Sequence, residues 1–189
     1  MTDRWRLFVA VPIGEQLRRD LADAAVRWRA RADLQGLRWT DPADWHLTLA
    51  FLGATDPAAL RRLTEALEVV ATTHEPVELP TGGVGAFPSA RRARVAWYGV
   101  GDPEGRLARL ADAVRRAVGV DAATSFRAHL TLGRARRDPI DLRPWLQDAE
   151  PPVGRLAVEG VQLMRSHLGH GPARYEVVSS HALGAAARV

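Results

Sequence analysis

Alternating and helical patterns of apolar residues follow one another along the chain and predict a mixture of strands and helices. Residues Arg6–Ile13 alternate as in a strand, and residues Glu15 to about Arg31 repeat apolar side chains at helical spacing. A second helix is predicted to begin after Asp56, which can cap it, with Pro57 in the first helical position. A second Asp-Pro start at Asp102 predicts a third helix that ends near Gly119.

The tetrapeptide His-Leu-Thr-Leu occurs twice, about half the chain length apart. It begins at His46 and again at His129, and both copies read as strands. A strand and a helix precede each copy, so the unit of strand, helix and strand is repeated. Alternating strands favour antiparallel sheets with one face open to polar groups. We therefore predict an α+β fold in which two pseudo-symmetric lobes of antiparallel sheet, with outer helices, surround a central cleft. No linker separates the lobes, so residues 1–189 are predicted to form one domain.

The C-terminal part contains two further alternating runs. These are RLAVEGVQLMRS and ARYEVVSSHAL, and the glycine-containing segment HLGHGP lies between them. This order predicts a hairpin whose two arms are these runs.

Composition restricts the class of protein. Hydrophobic residues make up 47% and charged residues 25% of the chain, as in ordinary globular proteins. No apolar run approaches the roughly 20 residues that cross a membrane, and the N-terminal segment lacks the pattern of a signal peptide. The absence of cysteine excludes disulfides and thiolate metal sites. We expect a soluble, cytoplasmic monomer with no membrane association.

The charge of the chain is compatible with a phosphate ligand but does not by itself indicate one. All 26 positive side chains are arginine, and the net charge is only +4. The guanidinium fork of arginine suits phosphate. The complete exclusion of lysine is, however, more typical of a GC-rich genome than of selection at a site.

The repeated motif places its polar side chains on one face of each strand. Residues two apart on a strand point the same way, so His46 and Thr48 share a face, as do His129 and Thr131. If the repeat is two-fold, these faces converge on one cleft. One neutral imidazole can then take a proton from water while one imidazolium protonates a leaving oxygen. Threonine hydroxyls can donate to phosphoryl oxygens, so the set suits the opening of a cyclic phosphate without a metal or cofactor.

The remaining histidines are interpreted as structural or solvated residues. They lie in loops or near strand ends without a matching partner: His74, His167, His170 and His181. The sequence HLGH lies in a glycine-rich turn, and we interpret it as a solvated loop rather than a metal site. No metal site is predicted.

The paired motifs and their flanks resemble the two-histidine phosphoesterase superfamily. The resemblance includes LRWTDPADWHLTLAFLG, VGAFPSARRARVAWYGV and LMRSHLGHGPARYEVV, and covers nearly the whole chain. Within the superfamily it is greatest to the RNA 2′,3′-cyclic phosphodiesterases, also called 2′-5′ RNA ligases (LigT-like). One departure is Ala128, where the family often has proline before the second histidine; it leaves the motif itself intact.

This resemblance implies the reaction and the roles of the motif residues. The family hydrolyses a terminal 2′,3′-cyclic phosphate to a 2′-phosphate by cleaving the bond to O3′, and also catalyses a reversible 2′-5′ ligation. Carried over to this chain, His46 protonates O3′, His129 activates water, and Thr48 and Thr131 hold the phosphoryl oxygens. The implied partner is RNA with a 2′,3′-cyclic phosphate end, or a cyclic nucleotide.

Symmetry suggests a clamp for the terminal base. Phe51 and Arg134 each lie five positions after their motif histidine, and a ring and a guanidinium can sandwich a nucleobase. Strict alternation would point both away from the cleft, so the hypothesis needs a bulge or strand end at Ala50 and Gly133. The competing interpretations are core packing for Phe51 and a plain surface role for Arg134.

Three other functions are alternatives to cyclic phosphate hydrolysis at RNA ends. The same histidines could act on ADP-ribose 1″,2″-cyclic phosphate or on 2′,5′-oligonucleotides. An RNA-binding module that grips such ends without turnover is a second alternative, although a pure binder has little need for two titrating groups. A metallohydrolase is disfavoured because neither motif contains carboxylate ligands.

Overall fold

The structure is a computed structural model that describes residues 4–121, 126–167 and 174–184. Its strands are β1 (Trp5–Pro12), β2 (Leu37–Trp39), β3 (His46–Thr55), β4 (Val77–Phe87), β5 (Val95–Val100), β6 (His129–Ala135), β7 (Gly154–Val158), β8 (Gly160–His167) and β9 (Arg174–Ala182). Its α-helices are α1 (Glu15–Arg29), α2 (Leu60–Thr72), α3 (Arg106–Val118) and α4 (Arg143–Asp148). None of the described helices is long and apolar enough to cross a membrane.

Asp56 and Asp102, the two predicted helix starts, cap helical turns as predicted, but α2 and α3 begin a few residues later. The Asp56 carboxylate accepts from the Ala58 backbone N–H at 2.9 Å, and a short 3-10 turn precedes α2. The Asp102 carboxylate accepts from the N–H groups of Leu107 and Ala108 in the first turn of α3. Each cap binds orphan N–H groups at a helix start, so the pattern locates the start to within about one turn.

The described strands form one antiparallel sheet with two related halves. The order is β7-β4-β5-β6-β3-β1-β8-β9, and β2 pairs with β6. The halves meet at β3 and β6 through the single pair Leu47↔Leu130, so the two motif strands are neighbours at the centre of the sheet. In one half β1 and α1 precede β3, and in the other β5 and α3 precede β6. The predicted α+β fold with duplicated lobes is confirmed.

Burial distinguishes the two faces of the sheet. Leu47 and Leu49 on β3, and Leu130 and Leu132 on β6, are 0–1% exposed and belong to the core. The helices cover this face with their apolar sides, which include Leu17, Leu21, Trp28, Leu107, Leu110 and Val114. The intervening residues of the motif strands are only partly buried, so they face the open side.

The prediction of a two-armed C-terminal hairpin was wrong for its first arm. Strands β8 and β9 do form a hairpin, but the first run divides at Glu159 and its beginning, β7, pairs with β4 in the other half. One residue between β7 and β8 spans about 7 Å, so the sheet must curve until its two ends approach each other. Gly160, the first residue of β8, permits a close approach of β9, since a Cβ there would lie 2.7 Å from the His181 carbonyl oxygen. Residues 168–172 of the predicted turn lie outside the described residues.

Candidate active site

The two motifs converge on one cleft at the centre of the sheet. His46 and Thr48 on β3 face the same side as His129 and Thr131 on β6, and all four are partly buried. Two adjacent cavities, of about 450 and 640 Å³, occupy this side. His46 lines the first and His129 the second, and both threonines line both cavities. The arrangement expected from side-chain alternation is therefore present.

The two histidines are oriented by matching hydrogen bonds. His46 Nδ1 lies 2.7 Å from the Asp44 carbonyl oxygen, and His129 Nδ1 lies 2.7 Å from the Arg127 carbonyl oxygen. A carbonyl oxygen only accepts, so each Nδ1 carries the hydrogen and donates it. The Nε2 atom of each ring is thus the one left to exchange a proton with a substrate.

Aromatic rings hold each imidazole from the side. The ring of His46 lies 4.9 Å from that of Phe8 and meets Tyr175 edge-on at 5.2 Å. The second imidazole has Phe87 edge-on at 5.0 Å and Trp97 at 6.3 Å. These contacts restrict the rotation of both histidines and exclude water from their flanks.

Burial and positive neighbours lower the pKa of both histidines. Desolvation is the largest cause of the lowered pKa at His46 and at His129, and the positive charge of Arg134 lowers both further. Arg127 adds to the effect at His129, whereas the His129 ring itself contributes at His46. The Arg134 guanidinium therefore lowers the pKa of both imidazoles, and the charge of His129 also lowers that of His46.

The threonine hydroxyls are available to a ligand. Across the described ranges, neither Thr48 nor Thr131 forms a side-chain hydrogen bond with the protein, and both border the shared part of the cleft. Two unpaired hydroxyl donors between two imidazoles suit the non-bridging oxygens of a phosphoryl group.

A bulge in each motif strand turns Phe51 and Arg134 into the cleft. Opposite β1, Val9 pairs with Ala50 and Ala10 with Thr48, so Leu49 is extra. Opposite β5, the pairing likewise skips one residue between Thr131 and Gly133. After each bulge, successive side chains point to the opposite faces from those that strict alternation would give, so Phe51 and Arg134 face the cleft. The break in alternation that the clamp hypothesis needs is therefore present in both strands.

Both side chains border the two cavities together. Phe51 and Arg134 line the first cavity and the second, beside Thr48 and Thr131. Phe51 is 67% exposed, so the interpretation of it as a core residue was wrong. Arg134 has no ion pair or side-chain hydrogen bond within the described part of the chain.

Ser166 and Tyr175 match the family through the segment LMRSHLGHGPARYEVV, but sequence reasoning gave no role to these or to other residues of the cleft. Ser166 and Tyr175, cross-strand partners in the β8–β9 hairpin, line the first cavity with Arg6. Burial raises the pKa of Tyr175, so its hydroxyl remains a donor. Arg127 lines the second cavity. Arg127 lies two residues before His129, just as Asp44 lies two residues before His46. The repeated motif could therefore have pointed to Arg127 as a residue of the site.

The other described histidines have partners away from the cleft. His74 Nδ1 lies 2.8 Å from the Val70 carbonyl oxygen, and His167 Nε2 lies 2.8 Å from a Glu176 oxygen. His181 is buried between Glu68 and Ser179. His170 lies outside the described residues. Among the residues that the structure describes, no group of three or more His, Cys, Asp or Glu side chains could hold a metal ion.

Comparisons with known proteins agree on one family. Residues 11–97 match the family described as LigT-like phosphoesterase. An RNA 2′,3′-cyclic phosphodiesterase of Archaeoglobus fulgidus is 36% identical over 135 residues, which cover 70% of this chain and 73% of the relative. One of Methanothermobacter thermautotrophicus is 34% identical over 170 residues, covering 86% and 90%. The crystal structure of E. coli LigT complexed with NADP+ superimposes with a TM-score of 0.73 at 25% identity, covering 96% and 99%.

Proposed function

Because the chain belongs to the LigT-like phosphoesterase family, we propose that it hydrolyses the terminal 2′,3′-cyclic phosphate of RNA to a 2′-phosphate. The observation that carries the proposal is the matched pair of imidazoles in one cleft, each with Nδ1 held by a backbone carbonyl and Nε2 left for the substrate. The relatives from A. fulgidus and M. thermautotrophicus are named for this activity. NADP+, the ligand of E. coli LigT, carries a phosphate on a ribose 2′ oxygen, which is the product class proposed here.

The proposed step is a displacement at phosphorus between the two imidazoles. The neutral Nε2 of His129 takes a proton from water as the water oxygen bonds to phosphorus. The bond from phosphorus to O3′ breaks, and the Nε2–H of His46 protonates O3′. The products are a 2′-phosphate monoester and a free 3′ hydroxyl, and solvent then restores both imidazoles. With a 5′ ribose hydroxyl in place of water, the same step would form a 2′-5′ phosphodiester and release the 3′ hydroxyl, which is a 2′-5′ ligation.

The assignment of base and acid follows the local charges. Arg127 is a permanently charged neighbour of His129 and lowers its pKa, which favours the neutral form that a base needs. The corresponding neighbour of His46 is the His129 ring, which carries no charge while it is the neutral base. Arg134, which lowers the pKa of both imidazoles, stands beside the place where the phosphoryl charge would sit. The bound anion would offset this effect, so the acid can keep its proton in the complex.

We also propose a role for the base clamp, a domain organisation, an oligomeric state and a cellular location. Phe51 and Arg134 would hold the terminal base between them. The described residues would act as a single bilobal domain, since one sheet joins both halves. We propose a monomer that acts in the cytoplasm, where RNA ends are processed. Among the described residues, few large apolar side chains are exposed, which supports a monomer: Val26, Phe51, Val69, Val153 and Val177.

A direct assay tests the proposed function. Adenosine 2′,3′-cyclic phosphate is incubated with the protein and EDTA, and the products are resolved as 2′-AMP and 3′-AMP. We expect turnover that yields 2′-AMP alone. A mixture with 3′-AMP would contradict cleavage of the bond to O3′. Tight binding of RNA with a cyclic end, without any turnover, would favour the binding-module alternative.

Arg134→Lys should raise KM for the cyclic nucleotide about tenfold. Stacking on a base contributes roughly 1–3 kcal/mol, and lysine keeps the charge while losing the planar face. Phe51→Leu should raise KM similarly, whereas Phe51→Trp should preserve it. An unchanged KM in both Arg134→Lys and Phe51→Leu would refute the clamp.

The pH optimum of kcat/KM should lie below 6.5, the ordinary pKa of a histidine side chain. The acidic limb reports the group that must be neutral and the alkaline limb the group that must be protonated. Burial lowers the pKa of both histidines, so both limbs move toward lower pH. Arg134→Gln removes a positive charge near both rings and should shift both limbs upward, while Arg134→Lys should not. An optimum well above 6.5 in the unmodified protein would contradict the account.

A further inference from the structure

Four exposed arginines form a strip that leads away from the cleft along β2 and β6. They are Arg134, Arg38, Arg136 and Arg137, and we call them the arginine strip. Arg134 borders both cleft cavities, and Arg38 is its direct cross-strand partner. Arg38, Arg136 and Arg137 line a third cavity of about 740 Å³. The strip is therefore continuous from the candidate active site to the outer cavity.

In the part of the chain that the structure describes, no arginine of the strip has a protein partner for its charge. Within residues 4–121, 126–167 and 174–184, none of the four forms an ion pair or donates a side-chain hydrogen bond. Arginines elsewhere do form ion pairs, namely Arg18, Arg31, Arg61, Arg106, Arg115, Arg143 and Arg155. The single carboxylate that lines the outer cavity, Asp138, is not within ion-pair distance of the strip. The protein itself leaves these positive charges without compensation.

Two charges of the strip stand directly opposite each other. Arg38 and Arg134 are register partners of the antiparallel strands β2 and β6, so their side chains lie on the same face. Like charges in this position destabilise a sheet. A phosphate between two guanidinium groups would remove the repulsion and accept hydrogen bonds from both.

The layout of the strip matches a chain of phosphates better than a single anion. Arg134 lies on β6, and Arg136 and Arg137 follow in the bend directly after the strand ends at Ala135, so the three guanidinium groups are arranged along one path. A row of cations that tracks a backbone is typical of sites for single-stranded nucleic acid. The row begins beside the place proposed for the cyclic phosphate, where a polymeric substrate must leave the cleft.

We propose that the arginine strip binds the phosphodiester backbone of single-stranded RNA on the 5′ side of the cyclic end. The inference rests on the proposed function and adds where the RNA chain that precedes the reacting nucleotide is bound. The terminal nucleotide occupies the cleft, and the preceding phosphates lie on Arg38, Arg136 and Arg137. Oligonucleotide ends are therefore better substrates than mononucleotides, by an electrostatic margin that salt reduces.

The test compares two substrates that share the same reacting group. These are adenosine 2′,3′-cyclic phosphate and a five-nucleotide oligoadenylate ending in 2′,3′-cyclic phosphate, each measured from 50 to 400 mM NaCl. The variant is the double replacement of Arg136→Gln and Arg137→Gln. The matched control is Arg61→Gln with Arg62→Gln, which changes two adjacent exposed arginines on α2 and alters the net charge equally.

We expect the unmodified protein to prefer the oligonucleotide in kcat/KM at low salt, and the preference to fall as salt rises. The strip variant should lose about tenfold or more of this preference at 50 mM NaCl. Its plot of log kcat/KM for the oligonucleotide against log salt should be shallower by about 0.7 for each lost phosphate contact. The control variant should keep both the preference and the slope.

Three results would overturn the inference. Turnover of the mononucleotide without any preference for the oligonucleotide would refute the strip while leaving the proposed function standing. An equal loss in the strip variant and in the control would show a general effect of net charge. No turnover of either substrate by the unmodified protein would refute the proposed function, and the inference with it.

Discussion

His46→Ala and His129→Ala should each lower kcat/KM for adenosine 2′,3′-cyclic phosphate by about 10² to 10⁴, the usual contribution of one acid or base. Each ring is held by a carbonyl at Nδ1 and by aromatic neighbours, so removal of either deletes one positioned proton donor or acceptor. Because both groups act in one step, the double variant should lose less than the product of the single losses. Steady-state kinetics at several pH values provide the measurement.

His74→Ala is the matched control for these variants. This histidine bonds to the Val70 carbonyl oxygen at the end of α2 and does not line either cleft cavity. Its replacement should leave kcat/KM within about twofold. Retention of more than a tenth of the activity by either motif variant would contradict a catalytic role for that histidine.

Thr48→Val and Thr131→Val should each lower kcat by about 10² to 10³. Removing one positioned donor to a developing negative charge typically has an effect of this size. Valine keeps the shape of threonine and removes only the hydroxyl, and neither hydroxyl has another partner in the described part of the protein. The loss should therefore fall on the transition state more than on folding or substrate binding.

Thr48→Ser and Thr131→Ser supply the comparison, because serine retains the donor. We expect each serine variant to recover most of the activity that the valine variant loses. Thermal unfolding of all four variants separates catalysis from stability. Equal activity in the valine and serine variants would show that the hydroxyls do not stabilise the phosphoryl oxygens.

The duplicated motif made the centre of the fold predictable from sequence. Strand periodicity fixes which residues share a face, so the pairing of His46 with Thr48 followed from spacing alone. The repeat then implied that a second such face, that of His129 and Thr131, would lie opposite. The sequence also indicated that Phe51 and Arg134 could enter the cleft only if alternation broke near Ala50 and Gly133. The structure has these breaks, with Leu49 and Leu132 as the extra residues.

The outer strands and the side-chain surroundings were not predictable in the same way. Strand β7 lies one residue before β8 in sequence yet pairs with β4 in the other half, and local patterning does not encode the partner of a strand. The contact of Phe8 with His46 depends on a distant pairing in the same way. The arginine strip likewise exists only because β2 pairs with β6, which places Arg38 opposite Arg134.

The central claim, acid–base catalysis by His46 and His129, is tested most directly with a cyclic substrate in which sulfur replaces O3′. A thiolate leaves without a proton, since a thiol is far more acidic than a ribose hydroxyl, so the bridging sulfur makes a general acid unnecessary. Single-turnover rates on the sulfur and oxygen substrates are compared for the unmodified protein, His46→Ala and His129→Ala. We predict that sulfur restores most of the rate to His46→Ala and little to His129→Ala. Rescue of His129→Ala instead would reverse the assigned roles, and no selective rescue of either variant would contradict the two-histidine acid–base account.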